Sequence, residues 1–471
     1  MKIHPFRISA AAPVAAVTFL LAGCASFSPD GGFEAVERLS RERIGHTPTY
    51  QRTAEQGVAA GTRVAELLAR PLSADGAVEI ALLNQRELQA AYAELGIAEA
   101  DLVRAARPAN PTLSFGRLTG SGGVEIERAL LFDVLGLFTL PLATELGQQR
   151  LQQAQLQAAY ETVGVATEAR KAFFEALAAQ QLLGYYGQVQ QAAGASSELA
   201  RRMQAAGNFN ALAQLREQAF HADATLNLAR AQQRALAARE RLVRALGLSE
   251  VQLGFTLPER LPELPAAPAA PQATEQAALD RRLDLLMARR STEATAQALG
   301  LTKATRFINV LQLGYQNKSE SGAARSNGYQ VELELPLFDF GSARLARAEA
   351  VYMQSLHRTA AVAARAGSET REAHAAYRSA YELARQYRDE IVPLRKRISE
   401  ENLLRYNGML ASVFDLLADA REQIAGVVGA VEAQRDFWIA ETELQATLAG
   451  RAASGAGPAP AAIATGPAAA H

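Results

Sequence analysis

The chain carries one cysteine in 471 residues, Cys24, so no internal disulfide can staple it and its stability must come from packing. Its six histidines, at 4, 46, 221, 357, 374 and 471, never fall at helical metal-ligand spacing, and no HExxH occurs. Neither G-x-S-x-G nor a P-loop is present, which leaves nucleophilic hydrolysis and nucleotide binding without support. No cofactor and no metal is therefore expected, and the chain does not read as an enzyme. An excess of one charge is also lacking. With 48 basic residues scattered among 49 acidic ones and a net charge of −1, no nucleic-acid partner is implied. Beyond Leu21 no apolar run reaches the roughly 18 residues that a membrane-spanning helix needs. The one tryptophan, Trp438, stands beside Phe437 in a helical pattern and reads as packing rather than a ligand contact.

What is present begins at the N-terminus. Lys2 and Arg7 give a positive start, Ala10 to Leu21 form an apolar stretch, and Leu21-Ala22-Gly23-Cys24 ends it. That order describes a secretory signal over 1–23 rather than a membrane span. Small residues closing on cysteine resemble the bacterial lipobox, in which Cys24 becomes the lipidated first residue of the mature chain. The alternative is an ordinary buried cysteine after an unrelated apolar segment. Alanine at 25, where aspartate would direct retention, favours the outer membrane by the same resemblance.

The remainder states one plan twice. Residues 77–257 and 274–450 each read as a helix, a pair of short strands and two long helices. Ala81-Leu82 with Glu87-Leu88 is answered by Ala278-Leu279 with Asp284-Leu285, Phe132-Asp133 by Phe338-Asp339, and the turn at Gly207-Asn208 by Asn407-Gly408. The repeat is too long for a solenoid unit and mixes helix with strand, so two similar halves side by side are expected. Residues 24–76 read as an extended leader, with an amphipathic turn around Val64 to Leu68. Residues 258–273 read as a stiff Pro/Ala linker with no core of its own, and 451–471 as a disordered low-complexity tail.

From Leu142 to about Ala206, and again from Ser342 to about Tyr406, apolar residues recur at three and four positions, which puts a stripe along one helix face. A coiled coil and a wall of long helices both satisfy that pattern. The strands discriminate. Pro108 to Pro111 stops the first helix, after which Thr112 to Gly116 and Val124 to Glu127 alternate polar with apolar. In the second copy Val310 to Tyr315 is a looser version, 317–328 reads as a polar loop, and Val331 to Leu335 alternates strictly. Such strands have the length of tilted barrel strands. On that reading Glu125, Glu127, Glu332 and Glu334 face a lumen, and Val124, Ile126, Leu333 and Leu335 face lipid; a soluble hairpin with one wet face is the alternative. Four strands cannot close a barrel, so the chain would share one with copies of itself.

Taken together, Glu87-Leu88-Gln-Ala-Ala, Glu94-Leu95-Gly96-Ile97-Ala98 through Leu102, Asn110-Pro111, Pro336-Leu-Phe-Asp339-Phe-Gly341 and Asn407-Gly408 before Val413-Phe-Asp415-Leu-Leu resemble the TolC family of outer-membrane efflux channels, in its lipoprotein branch. The resemblance covers about 77–450. It implies a mainly helical fold with a membrane β-barrel portion: a homotrimer in which each chain gives four strands to a 12-stranded barrel and its long helices to a periplasmic tunnel. It also implies an outer-membrane lipid environment, a periplasmic adaptor and an inner-membrane pump as partners, with cargo passing through unchanged. The turns at Gly207, Asn208, Asn407 and Gly408 would then form the periplasmic tip. Asp415 matches the first of the family's gate carboxylates, the second falls on Ala418 with Asp419 one residue along, and Gln214 stands for Asp415 in the first copy. A ring of Asp415 side chains would favour cations, while the same aspartate would also suit a helix N-terminus. A type I protein-secretion exit duct shares the fold, and a periplasmic coiled-coil lipoprotein serving as adaptor or scaffold is the reading from another class.

Overall fold

The computed structural model describes residues 26–120, 123–268, 279–305, 310–320, 322, 324–334, 338 and 340–451. Residues 1–23, Cys24, Ala278, Leu335, Pro336, Asp339 and the tail from 452 lie outside the described residues.

The stretch expected to be an extended leader is folded. It forms α1 (Glu34–Ile44) and α2 (Ala54–Leu68), the second opened by a reciprocal capping box between Thr53 and Gln56. Val36 from α1 and Val64 and Leu67 from α2 are buried in the main cores, so these short helices are held by tertiary packing that their length alone could not supply. Next come α3 (Ala74–Asn84), capped by Ser73, and α4 (Arg86–Ala105), which ends before the Pro108 and Pro111 pair.

Strands β1 (Thr112–Gly120) and β2 (Gly123–Asp133) follow, then two long helices, α5 (Val134–Ala205) and α6 (Ala211–Leu246). With 72 residues, α5 extends roughly 110 Å at ~1.5 Å per residue. It starts earlier than the proline-free run from Leu142, taking in Pro141, because the Asp133 carboxylate accepts from the Gly136 amide and caps it. The second series is α7 (Leu283–Ala304), β3 (Leu311–Glu320), β4 (Ser326–Leu333), α8 (Ser342–Gln386), a π-helical turn (Tyr387–Ile391), α9 (Val392–Asn407) and α10 (Val413–Ala449). The π turn sits just ahead of Pro393, whose missing amide cannot sustain the regular ladder. Gly429 of α10 lets the helices approach closely there, since a Cβ on it would meet the Tyr387 hydroxyl at 2.7 Å.

The four strands form one antiparallel sheet in the order β1-β2-β3-β4. Of the segment 317–328, expected as a polar loop, residues 317–320 and 326–328 are strand. Asn317 pairs with Asn327 and Lys318 with Ser326, and the Asn317 side-chain amide donates to the Asn327 side-chain oxygen at 2.7 Å. Polar side chains there continue the ladder instead of ending it, which is why polarity alone misplaced the boundary.

Two apolar cores lie along the middle of α5. One joins α2, α3 and α6; the other joins α1, α4 and α7. The segment 258–273 was expected to lack a core, yet Leu261 and Leu264 are buried and the Trp438 indole donates to the Pro262 carbonyl at 3.0 Å. Trp438 also stacks on Phe174 with ring centroids 5.5 Å apart, so residues 258–268 are strapped across the helices by an aromatic cluster.

Candidate functional site

Two regions gather the candidate side chains: the sheet, and the turns at the far ends of the long helices. In the sheet, pairing fixes which residues share a face. Glu125 pairs with Glu320, Glu127 with Lys318, and Gln312 with Glu332, so these acids and the lysine share one face. Lys318 forms ion pairs with both Glu125 and Glu127. Glu334 lies one residue past β4, its amide donating to the Val310 carbonyl at 3.3 Å. The opposite face carries Leu113, Phe115, Val124, Ile126, Leu130, Phe132, Leu313, Tyr315, Tyr329, Val331 and Leu333. Tyr329 is 88% and Leu113 73% exposed, so this apolar face is uncovered by the chain itself. The outer edges of the sheet, on β1 and β4, have no strand partner among the described residues. An apolar face left uncovered marks an interaction surface, and two open edges leave backbone groups free to pair with further strands.

The helical turns differ from the sequence reading by one residue. In the first turn Gly207 takes the left-handed conformation, with φ 77°, and Asn210 caps α6 by accepting from the Ala213 amide at 2.7 Å. In the second turn the left-handed residue is not Gly408, at φ −81°, but Met409, at φ 61°, and Ser412 caps α10. Left-handed residue and cap are equally spaced in both turns, so Gly207 corresponds to Met409 and Asn210 to Ser412. Asp415 therefore corresponds to Ala213, not to Gln214, the residue that matching Gly207 with Gly408 gives.

Asp415 is exposed and occupied by the helix start. Its carboxylate accepts from the Ser412 hydroxyl at 2.7 Å and the Ser412 amide at 2.8 Å, while the Asp415 amide donates back to the hydroxyl at 3.3 Å. Those bonds hold its carboxyl below the usual carboxylate range. Asp419, one turn on, is buried, and its Oδ1 accepts no hydrogen bond from the described residues.

The corrected register exposes a residue that sequence reasoning missed. Glu217 stands at the position of Asp419 in the first copy, is only 2% exposed, and accepts from the Ser196 hydroxyl at 2.8 Å. Ile398 stands as far before Met409 as Ser196 before Gly207, and it offers no donor. Counting from the cap signals Asn210 and Ser412, instead of from the glycines, would have found the pair. The two tips also meet: Arg421 of α10 reaches Asp223 of α6 at 4.0 Å and lies over the Phe220 ring at 5.4 Å from its centroid.

At the opposite end of the helices, the first described residues are tied to α4. The Ser28 amide and hydroxyl donate to the buried Glu99 carboxylate at 2.6 and 2.5 Å. Phe27 lines a cleft of about 610 Å³ with Pro108 and Asn110, beside the entry to β1. Among the described residues no cluster of three or more His, Cys, Asp or Glu side chains could hold a metal, and no helix is long and apolar enough to cross a membrane.

No family model matches the sequence, and no curated protein matches it. Solved structures do match its fold. The CmeC outer membrane channel of Campylobacter jejuni superposes with a TM-score of 0.70 at 14% sequence identity, covering 91% of this chain and 94% of that one. The outer-membrane channel OprN gives 0.68 at 20% identity, covering 85% and 94%. The open-state MtrE outer membrane channel of Neisseria gonorrhoeae gives 0.65 at 17% identity, covering 80% and 89%.

Proposed function

We propose, on the premise that the chain has the TolC-like fold of these outer-membrane channels, that three copies form a channel across the outer membrane and the periplasm. The observation that carries this is the sheet: four strands, open at both edges, with one face apolar and uncovered and the other lined by Glu125, Glu127, Lys318, Gln312 and Glu332. A bilayer supplies no hydrogen bonds, so open edges can enter it only by closing against other strands. Three such sheets make twelve strands, within the range of membrane barrels. The acids then face an aqueous lumen, and the leucines, valines and tyrosines of the opposite face meet lipid. The long helices continue the wall on the periplasmic side and end in the turns at Gly207 and Met409.

Lipidation at Cys24 fits this placement. The Ser28–Glu99 bonds hold the chain at the root of β1, the level where a strand would leave the bilayer, and Cys24 lies only four residues before Ser28. In this account the protein is a conduit: a periplasmic adaptor and an inner-membrane pump deliver cargo to the helical tips, and the channel passes it outward unchanged. A periplasmic scaffold would have no use for the uncovered apolar strand face.

The extracted protein should open discrete, uniform ion channels in planar bilayers. A protein that stays monomeric and soluble without detergent would contradict the proposal. Asp415 would bring one exposed carboxylate per chain to the tip, and Asp419 a second, buried one. Asp415→Ala should raise single-channel conductance and weaken divalent-cation block. Unchanged conductance and block would leave Asp415 only its role in the helix cap.

A further inference from the structure

Most charged residues of the strands lie on the polar face, but two arginines do not. Arg117 of β1 pairs with Ile126, and Arg128 of β2 pairs with Phe115, which puts both on the apolar face with Leu113, Leu130 and Tyr315. They are diagonal neighbours on adjacent strands, close enough for two guanidinium groups to share one anion. The strand acids Glu125, Glu127, Asp133, Glu320 and Glu332 all belong to the other face, so no described strand carboxylate shares a face with the arginines. Arg128 is held in position: it lies over the Phe115 ring at 5.9 Å from the centroid and donates to the Asn317 side chain at 3.1 Å, which in turn donates to Asn327.

Their height along the strands is specific. From the root of the sheet upward, the apolar face runs through Leu311 with Leu333, then Phe132 with Leu313 and Val331, then Leu113 with Leu130, Tyr315 and Tyr329. The arginines come next, Arg128 level with Phe115 and the asparagine pair and Arg117 level with Ile126 and Ser319, toward the hairpin turns and away from the helices. Tyrosine followed by arginine is the sequence of side chains at a boundary between hydrocarbon and headgroups, where an aromatic ring sits in the interface and a cation meets phosphate.

We infer that Arg117 and Arg128 form a binding site for the phosphates of an anionic glycolipid in the outer leaflet. The inference rests on the channel reading above, which places the helices in the periplasm and hence the hairpin turns at the cell exterior. A guanidinium pair presents paired N–H donors that match phosphate oxygens, and surrounding hydrocarbon strengthens the attraction by excluding water.

The test uses the full-length protein in nanodiscs of zwitterionic lipid, titrated with bisphosphorylated lipid A or its dephosphorylated form and followed by native mass spectrometry. The wild type should prefer the bisphosphorylated lipid by about tenfold or more, the double variant Arg117→Gln/Arg128→Gln should lose that preference, and Arg→Lys replacements should retain part of it. Conductance in the same nanodisc-derived preparations monitors whether each variant is still an inserted channel. Insertion and conductance without phosphate preference, or a preference surviving in the double variant, would overturn this inference alone. Failure of the wild type to enter the bilayer would overturn the channel reading and this site with it.

Discussion

The two halves of the chain solve the same structural problem with different chemistry. Each begins its wall helix from an extended cap residue, Gln85 before α4 and Arg282 before α7, and each brings a left-handed helix-ending glycine against that residue. A Cβ on Gly247 would lie 3.1 Å from the Gln85 Cα, and one on Gly450 would lie 2.3 Å from the Leu283 nitrogen. In the first half the junction is neutral: Gln85 donates to the Arg244 carbonyl, and Asn84 to the Gly247 carbonyl. In the second it is ionic and buried. Arg282 is fully buried and donates to Asp284 and Glu369, each at 2.7 Å, and to Thr370. The tips repeat the contrast. The first satisfies its buried acid with Ser196 and turns on a glycine; the second leaves Asp419 short of a donor and turns on Met409. Backbone geometry is thus shared between the halves while the side chains diverge, and the second half carries the less compensated choices near its tip.

The contrast is broken most severely at Arg282. Arg282→Met should cost about 3–5 kcal/mol, because two partly buried carboxylates lose their counter-ion. Gln85→Met should cost about 1 kcal/mol, the worth of a hydrogen bond that solvent can replace. Urea unfolding followed by circular dichroism would rank them, and equal losses would refute the difference between the junctions. Exchanging the donors at the tips comes next. Ser196→Ile should destabilise by about 1–3 kcal/mol by orphaning Glu217, whereas Ile398→Ser should stabilise by about 1 kcal/mol by supplying Asp419. Thermal unfolding that moves the same way for both would show that the two acids are not equivalent.

A smaller effect separates the turns. Met409→Gly should stabilise the second turn by about 1 kcal/mol, since methionine pays a steric cost in the left-handed region, and Gly207→Met should destabilise the first by a similar amount. Amide exchange at the tips would show both shifts. The smallest effect is a pH dependence confined to the second tip. The Asp415 carboxyl is depressed in the folded state, so its capping contribution is complete above the unfolded value near 3.8 and is lost as pH falls through the lower folded value. The first turn, capped by neutral Asn210 with Ala213 at the matching position, should show no such step. Exchange protection that falls equally at both tips on acidification would contradict the assignment.

The strand faces were legible because alternation is local: Val124 to Glu127 and Val331 to Glu332 state their orientation without help from the rest of the chain. The long helices were legible for the same reason. What escaped depends on distant partners. The helices α1 and α2 are too short to announce themselves, and they exist because Val36, Val64 and Leu67 find cores built mainly from α3, α4 and α5. Asn317 and Asn327 look like loop residues until they bond across the ladder. The offset at the tips arose from treating glycine as the marker of the turn, when Met409 takes the left-handed position and Gly408 does not. Glu217 was invisible as a partner to Asp419 until that register was corrected.

The central claim is that the open edges of the sheet are closed by copies of the same chain. Gly116→Cys on β1 together with Gln330→Cys on β4 would place thiols on the two edge strands, on the polar face, and a bismaleimide applied to isolated outer membranes would join neighbouring chains. The account predicts a covalent ladder that ends at three chains, with neither single variant going beyond a dimer. A double variant that yields no product beyond the monomer, or one that continues past three chains, would contradict it.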